Sequence, residues 1–309
     1  MYLMGSGLWL WINVTNSHIL TGKVMSKIYD CFNFFNELDI LELRLNTLYD
    51  HVDFFVIVES DVTHSGESKK FFYEENIERF SKFSDKILNY KILNTPSDFI
   101  NLPETSEEEL KKVYTYIETQ SNRFDRATQL DYGRDFFQKE SVRRALVYCK
   151  DDDIIMFSDA DEIPNPEFLK TIKNLSLDDT LYSLNQPMYC YFLNMLKQSD
   201  WYGTKVGLYK NIKDLSLNEL RGDESLTVKL PDGGWHFSFI GDAESVRKKI
   251  TSYSARDLVN QHVYDSVEEN IKNGIDVFFR GKLTQVPIDH SYPLHVLNNL
   301  DKYKHMIKP

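Results

Sequence analysis

Two short runs limit what this chain can fold into more than anything else in it. Asp53-Phe54-Phe55-Val56-Ile57-Val58-Glu59 and Asp153-Ile154-Ile155-Met156-Phe157-Ser158 are apolar without alternation and begin on an acidic residue. A strand with one wet face alternates polar and apolar residues. A strand buried on both faces does not, and such strands belong to parallel sheets covered by helices on each side. Lys27-Ile28-Tyr29-Asp30-Cys31-Phe32 and Lys86 to Leu93 supply two more β-like runs. Between the runs, Leu38, Leu41, Leu45 and Leu48 recur at helical spacing within Glu37 to Tyr49, and Phe71 to Phe83 reads as helix. The order β-α-β-α-β predicts an α/β fold with a Rossmann-type sheet in the first half.

Further helices are expected over Leu110 to Thr119 and Arg134 to Lys150, and over Pro166 to Lys173 with Asn165 as its cap. Beyond that the texture is mixed. Thr180 to Asn194, Thr204 to Lys210 and Asp232 to Ile240 carry β-runs, and helices are expected from Asp242 to Thr251 and around Asp257 to Asn273. Leu294 to Pro309 reads as a short helix or tail on the surface. In residues 1–25 the only apolar run, Leu8 to Ile12, follows no basic stretch and is too short for a membrane span. That segment is expected to be a peripheral extension, with no signal peptide, anchor or integral span.

The chain has 309 residues and a net charge of −11, from 36 Lys and Arg against 47 Asp and Glu. This balance disfavours a nucleic-acid groove. An anionic ligand would need a metal or a local Arg/Lys cluster. Only 13 glycines and 9 prolines are present, which excludes a collagen-like or linker-dominated chain. Cys31, Cys149 and Cys190 form an odd set without C-x-x-C, so buried reduced thiols in a reducing compartment are expected.

Ligands of open parallel sheets bind at the carboxyl ends of the strands. There the sequence offers Ser158-Asp159-Ala160-Asp161-Glu162-Ile163-Pro164. In an extended run, Asp159 and Asp161 project to one side. Two carboxylates so placed suit Mg²⁺ or Mn²⁺ and leave positions for phosphate oxygens. Pro164 is expected to stop the strand. A second triplet, Asp151-Asp152-Asp153, reads as a solvated turn. Glu59 closes an earlier strand and is a candidate for nucleotide contact or for a helix cap. Gly233 and Gly234 precede Trp235-His236-Phe237-Ser238, and His236 is a candidate third metal ligand or phosphate donor.

Four segments carry a resemblance: Tyr29 to Arg44, Val58-Glu59-Ser60 with Gly66 and Lys70, Ser158 to Pro164, and Gly234 to Ser238. In this order, over about Tyr29 to Lys304, they resemble glycosyltransferase family 17, the β-1,4-mannosyl-glycoprotein β-1,4-N-acetylglucosaminyltransferases. The resemblance implies a GT-A-type fold and inverting, metal-dependent transfer from UDP-N-acetylglucosamine to a mannose-type or other glycan, as in protein N-linked glycosylation. It implies that Asp159 and Asp161 hold the metal and the diphosphate, that Glu59 lies near the nucleotide, and that His236 sits at the donor site. Residues 26–305 would then form one domain, with a nucleotide half to about 165 and an acceptor half beyond. Known eukaryotic members carry a Golgi membrane anchor, and no anchor is read in residues 1–25.

Inverting transfer needs a base on the acceptor hydroxyl. The candidates are Glu162, Asp223, Glu224 and Asp242, with Asp223 and Glu224 favoured because Arg221-Gly222-Asp223-Glu224 is a polar, glycine-bearing loop. Arg126, Arg134, Arg143, Arg144, Lys248 and Lys249 are candidate phosphate-steadying cations. Two alternatives stay open: a non-catalytic glycan-binding protein on a transferase scaffold, and a sugar nucleotidyltransferase.

Overall fold

A computed structural model describes residues 26–119, 123–172, 175, 177–252 and 254–309. The expected extension at 1–25 lies outside the described residues. The two apolar runs become two strands of one sheet, on either side of a third. β1 (Ile28–Asn33) lies between β2 (Phe54–Ser60) and β4 (Ile154–Asp159), and β3 (Ile87–Ile92) flanks β2. All four run parallel. Ile28 pairs with Ile154 and Asn33 with Asp159, so β1 and β4 end side by side.

The mixed half supplies the rest. β5 is Glu162–Pro164, β6 Tyr182–Asn185, β7 Met188–Cys190, β8 Met195–Gln198, β9 Tyr202–Leu208, β10 Val228–Leu230, β11 Gly234–Ser238 and β12 Thr284–Gln285. The seven-stranded sheet runs β10-β6-β9-β4-β1-β2-β3, and β9 joins β4 antiparallel. A second sheet runs β12-β8-β7-β11-β5. Pro164 ends a strand, as expected, although that strand is β5 of the second sheet. It lies opposite Gly234 of β11.

Helix Leu38–Leu48 buries Leu41, Leu45 and Leu48 against β1 and β2 in one core cluster with Phe32, Phe55 and Ile57. The other face of the sheet carries Cys31, Val56, Val58 and Phe157, packed under Val113, Ile117 and Phe137 from helices Glu108–Thr119 and Leu130–Glu140. Each side chain set comes from alternate strand positions, and both sets are buried, as the non-alternating sequence demands. Cys31 and Cys190 are buried, and Cys149 is half-buried.

Three local expectations change. The helix expected over Arg134 to Lys150 starts at Leu130, ends at Glu140 and tightens into a 3₁₀ turn over Ser141–Ala145. There the adjacent Arg143 and Arg144 are both buried against different partners. Arg143 donates to the carbonyls of Lys213 and Leu215, and Arg144 donates to Glu107 and Asn94. Phe71 to Phe83 splits into helix Phe72–Glu75 and a 3₁₀ segment, Ile77–Phe83. Residues 294–306 are not a surface tail, because Val296, Tyr303 and Met306 are buried in the same core as helix Leu38–Leu48. By contrast Asn165 caps helix Pro166–Thr171 as expected, accepting from the Glu167 amide. Among the described residues no helix is long and apolar enough to cross a membrane.

Candidate active site

β4 ends at Asp159, and a turn through Ala160 and Asp161 hands the chain to β5 at Glu162. The acidic stretch is therefore the seam between the two sheets. It is not one extended run, and its carboxylates meet different partners. Arg221 Nη2 donates to Asp159 Oδ2 at 2.7 Å. Lys249 Nζ donates to Asp161 Oδ2 at 2.8 Å, and His236 Nε2 lies 3.5 Å from Asp161 Oδ1. The Asp161 side chain is 9% exposed and that of Asp159 38%. Burial opposes ionisation of Asp161, but Lys249 and His236 outweigh it and hold its carboxyl well below the usual range.

Glu162 is fully buried and fully used. Arg221 donates to both of its oxygens, at 2.5 and 2.9 Å, Trp201 Nε1 donates at 2.7 Å, and the Asp159 amide at 3.0 Å. Against the cost of burial, Arg221 brings its pKa down to about 2. A Cβ on Gly203 would lie 2.5 Å from the Glu162 carboxyl, so glycine is required where β9 passes this group. The β5–β11 pairing sets His236 opposite Glu162, and the Trp201 and His236 rings lie 5.1 Å apart. His236 Nδ1 is buried and without a hydrogen-bond partner.

Remote elements bring the cations in. Helix Leu217–Gly222, which carries Arg221, starts on the buried Glu140 carboxylate, which accepts from Ser216 Oγ and from the Leu217 and Asn218 amides. An anion at a helix N-terminus is favourable in itself. Lys249 sits in helix Ala243–Ser252 and also pairs with Glu37 at 3.0 Å. Asp135 binds Lys139 at 2.9 Å and faces His64 at 3.6 Å. Burial disfavours the Lys139 ammonium, yet Asp135 and, behind it, Asp159 hold its pKa above the ordinary lysine value.

The other candidates lie elsewhere. Glu59 is buried and accepts from Lys69 Nζ at 2.7 Å and from the Phe72 and Tyr73 amides, so it caps helix Phe72–Glu75. Burial raises its pKa against those partners. Asp223 accepts from Ser225, Glu224 pairs with Lys229 at 2.5 Å, and Asp242 accepts from the Ser245 amide at the start of helix Ala243–Ser252. Asp223 is half-buried and Glu224 exposed. Of the six cations named from the sequence, Lys249 touches the turn. Arg126, Arg143 and Arg144 are committed to neighbouring loops, Arg134 to the His64 carbonyl, and Lys248 sits over the Phe72 ring. Sequence reasoning missed Arg221 and Trp201 as residues at the turn.

A hard divalent ion can take one or two carboxylates from the protein and its remaining ligands from phosphates and water. Asp159, partly exposed and with one oxygen given to Arg221, fits that role. Asp161 is committed to Lys249 and to His236. No group of three His, Cys, Asp or Glu able to hold a metal is present among the described residues, so Asp159, Asp161 and His236 do not form a closed cage.

The family model "Glycosyltransferase family 17" matches residues 18–120 and 105–307. Two relatives, the β-1,4-mannosyl-glycoprotein 4-β-N-acetylglucosaminyltransferases of Rattus norvegicus and Homo sapiens, are each 22% identical over 95% of this chain. The match covers 57% of each relative, so the chain spans little more than half the length of the curated relatives it matches. Overlays on solved structures are loose. S. aureus TarS 1–349 gives a TM-score of 0.36 at 12% identity, covering 80% of this chain and 71% of that one. The chain belongs to glycosyltransferase family 17.

Proposed function

We propose that this family 17 chain transfers N-acetylglucosamine, with inversion, from UDP-N-acetylglucosamine to a hydroxyl of a mannose-type or other glycan at the β4–β5 turn. One observation carries the reading. In a chain of net charge −11, Arg221 and Lys249 arrive from separate helices to hold the acidic turn at the carboxyl end of a parallel strand. Asp159 is the residue that would hold Mn²⁺ or Mg²⁺ against the donor phosphates. When bound, such an ion supplies charge neutralisation for the leaving diphosphate.

The protein's own groups do the rest. Arg221 and Lys249 fix the two aspartates and keep the local charge near balance, so that a diphosphate can approach. His236 supports Asp161 from its Nε2 side at the donor site. The Trp201 indole, held by Glu162, gives a flat apolar face for a sugar ring. Glu162 cannot reach an acceptor, because it is buried and all its partners are internal. The base role falls to Asp223 and Glu224, just past the helix that carries Arg221. Asparagine or glutamine at those two positions is expected to lower transfer while leaving donor binding intact.

The deciding experiment is UDP release from a panel of UDP-sugars with Mn²⁺ or with EDTA. Metal-dependent turnover of UDP-N-acetylglucosamine supports the reading. Neither turnover nor binding of any UDP-sugar overturns it in favour of a non-catalytic glycan-binding protein.

A further inference from the structure

Arg44 is the most completely buried cation in the described structure, at 0% exposure, and the mechanism above does not use it. It projects from helix Leu38–Leu48 toward the ends of β1 and β4. Its Nε and Nη2 donate to the two oxygens of Asp30, at 2.8 and 2.6 Å, and Asp30 is equally buried. Nη2 also donates to Ser158 Oγ at 2.7 Å. Nη1 donates to three backbone carbonyls, those of Asp159 at 2.9 Å, Ala160 at 3.1 Å and Glu162 at 2.8 Å. The guanidinium lies over the Phe32 ring, 4.2 Å from its centre.

The five N–H groups of an arginine thus serve six acceptors, three of them the main-chain oxygens of the acidic turn. Asp30 alone would satisfy the charge. The carbonyl contacts need the rigid fork, which an ammonium cannot reproduce. They also divide the turn. Its carbonyls at Asp159, Ala160 and Glu162 are gathered by Arg44 and that of Asp161 by the Phe237 amide, while its side-chain oxygens at Asp159 and Asp161 are left to Arg221 and Lys249.

We propose that Arg44 is the positioning residue of the donor site: it sets the backbone of the Asp159-Ala160-Asp161-Glu162 turn and thereby the spacing of the two aspartates. This rests on reading that turn as the donor site. Arg44 touches no substrate in this account and acts only through the turn.

Arg44→Lys and Ser158→Ala test it, with hydrogen exchange at the amides of residues 160–162 and steady-state turnover of UDP-N-acetylglucosamine with Mn²⁺. Arg44→Lys keeps the charge beside Asp30 and loses the fork. Exchange at 160–162 is expected to quicken by about tenfold over the rest of the sheet, and kcat/KM to fall by roughly 100-fold, the scale of a misplaced catalytic group. Ser158→Ala removes a single bond. It is expected to raise the donor KM several-fold in the same direction, with the melting temperature near wild type. A merely structural arginine would lower the melting temperature and leave exchange at 160–162 in step with the other strands, and that result overturns the proposal. So does a folded Arg44→Lys with turnover and exchange within twofold of wild type. If Arg44→Lys does not fold, Ser158→Ala decides by the same two readouts. If the wild type turns over no UDP-sugar, the proposed function fails on its own, and the exchange pattern still decides the positioning role.

Discussion

The two ends of β4 carry the same acidic triplet pattern and use it differently. At the start, Asp153 is 3% exposed and accepts from the Lys27 and Lys150 amides, which closes the turn that feeds the strand. Asp151 is mostly exposed and pairs with Lys213. At the far end, Asp159 and Asp161 are held by arginine, lysine and histidine side chains from other parts of the chain. Backbone amides hold the carboxylate at one end, and side-chain cations from other helices hold those at the other, where a cation is at hand that an incoming anion could share. The motif alone does not make that distinction, because its partners come from residues 60 or more positions away.

The sharpest way to break this contrast is to exchange charge at the far end. Asp161→Asn is expected to lower turnover of UDP-N-acetylglucosamine by roughly 100-fold, the usual scale for losing one preorganised electrostatic group. Wild-type turnover in that variant would put both ends in one class. Arg221→Met frees Asp159 and strips Glu162 of its cation, and donor affinity by calorimetry is expected to drop by about tenfold or more. At the near end the loss is one of stability. Asp153→Asn weakens two buried amide contacts, at a cost of about 1–3 kcal/mol in denaturant titration, with turnover of the folded fraction unchanged.

A pH series sharpens the same point. Glu162 protonates at about 2 in the folded chain against an ordinary value of 4.5, so the unfolded state takes up the proton first as pH falls. Its contribution to stability is complete above about 4.5 and is lost between there and about 2. The stability gap between wild type and Glu162→Gln is expected to shrink through that window. The smallest effect is that of Asp151→Asn, an exposed ion pair, whose loss is expected to move stability by no more than about 0.5 kcal/mol and turnover not at all.

The parallel sheet was legible because a strand buried on both faces leaves a local mark in its own residues. The turn after β4 was legible by position for the same reason. Its partners were not. Arg221 stood in view beside Asp223 and Glu224, but its place in the site depends on Glu140 anchoring the helix before it, 78 positions from Asn218. Nothing local to Trp201 shows that its indole faces Glu162, 39 positions away. Glu59 illustrates the reverse case. A strand-end glutamate looks available until the amides of Phe72 and Tyr73 are seen to fill it. Helix periodicity also could not foresee that two adjacent arginines, Arg143 and Arg144, would both be buried after Glu140.

Residues 294–306 complete the layer that began with helix Leu38–Leu48. Lys302 bonds Glu42, His305 lies 3.2 Å from Asp39, and Met306 closes over the same apolar cluster. The contacts span about 260 positions of sequence. A growing polypeptide must therefore hold that face of helix Leu38–Leu48 uncovered until about 260 further residues have been made. Closure over so long a loop is slow, and the waiting surface is apolar. The penalty falls on assembly, in the interval during which a chaperone or a neighbouring nascent chain can claim that face first.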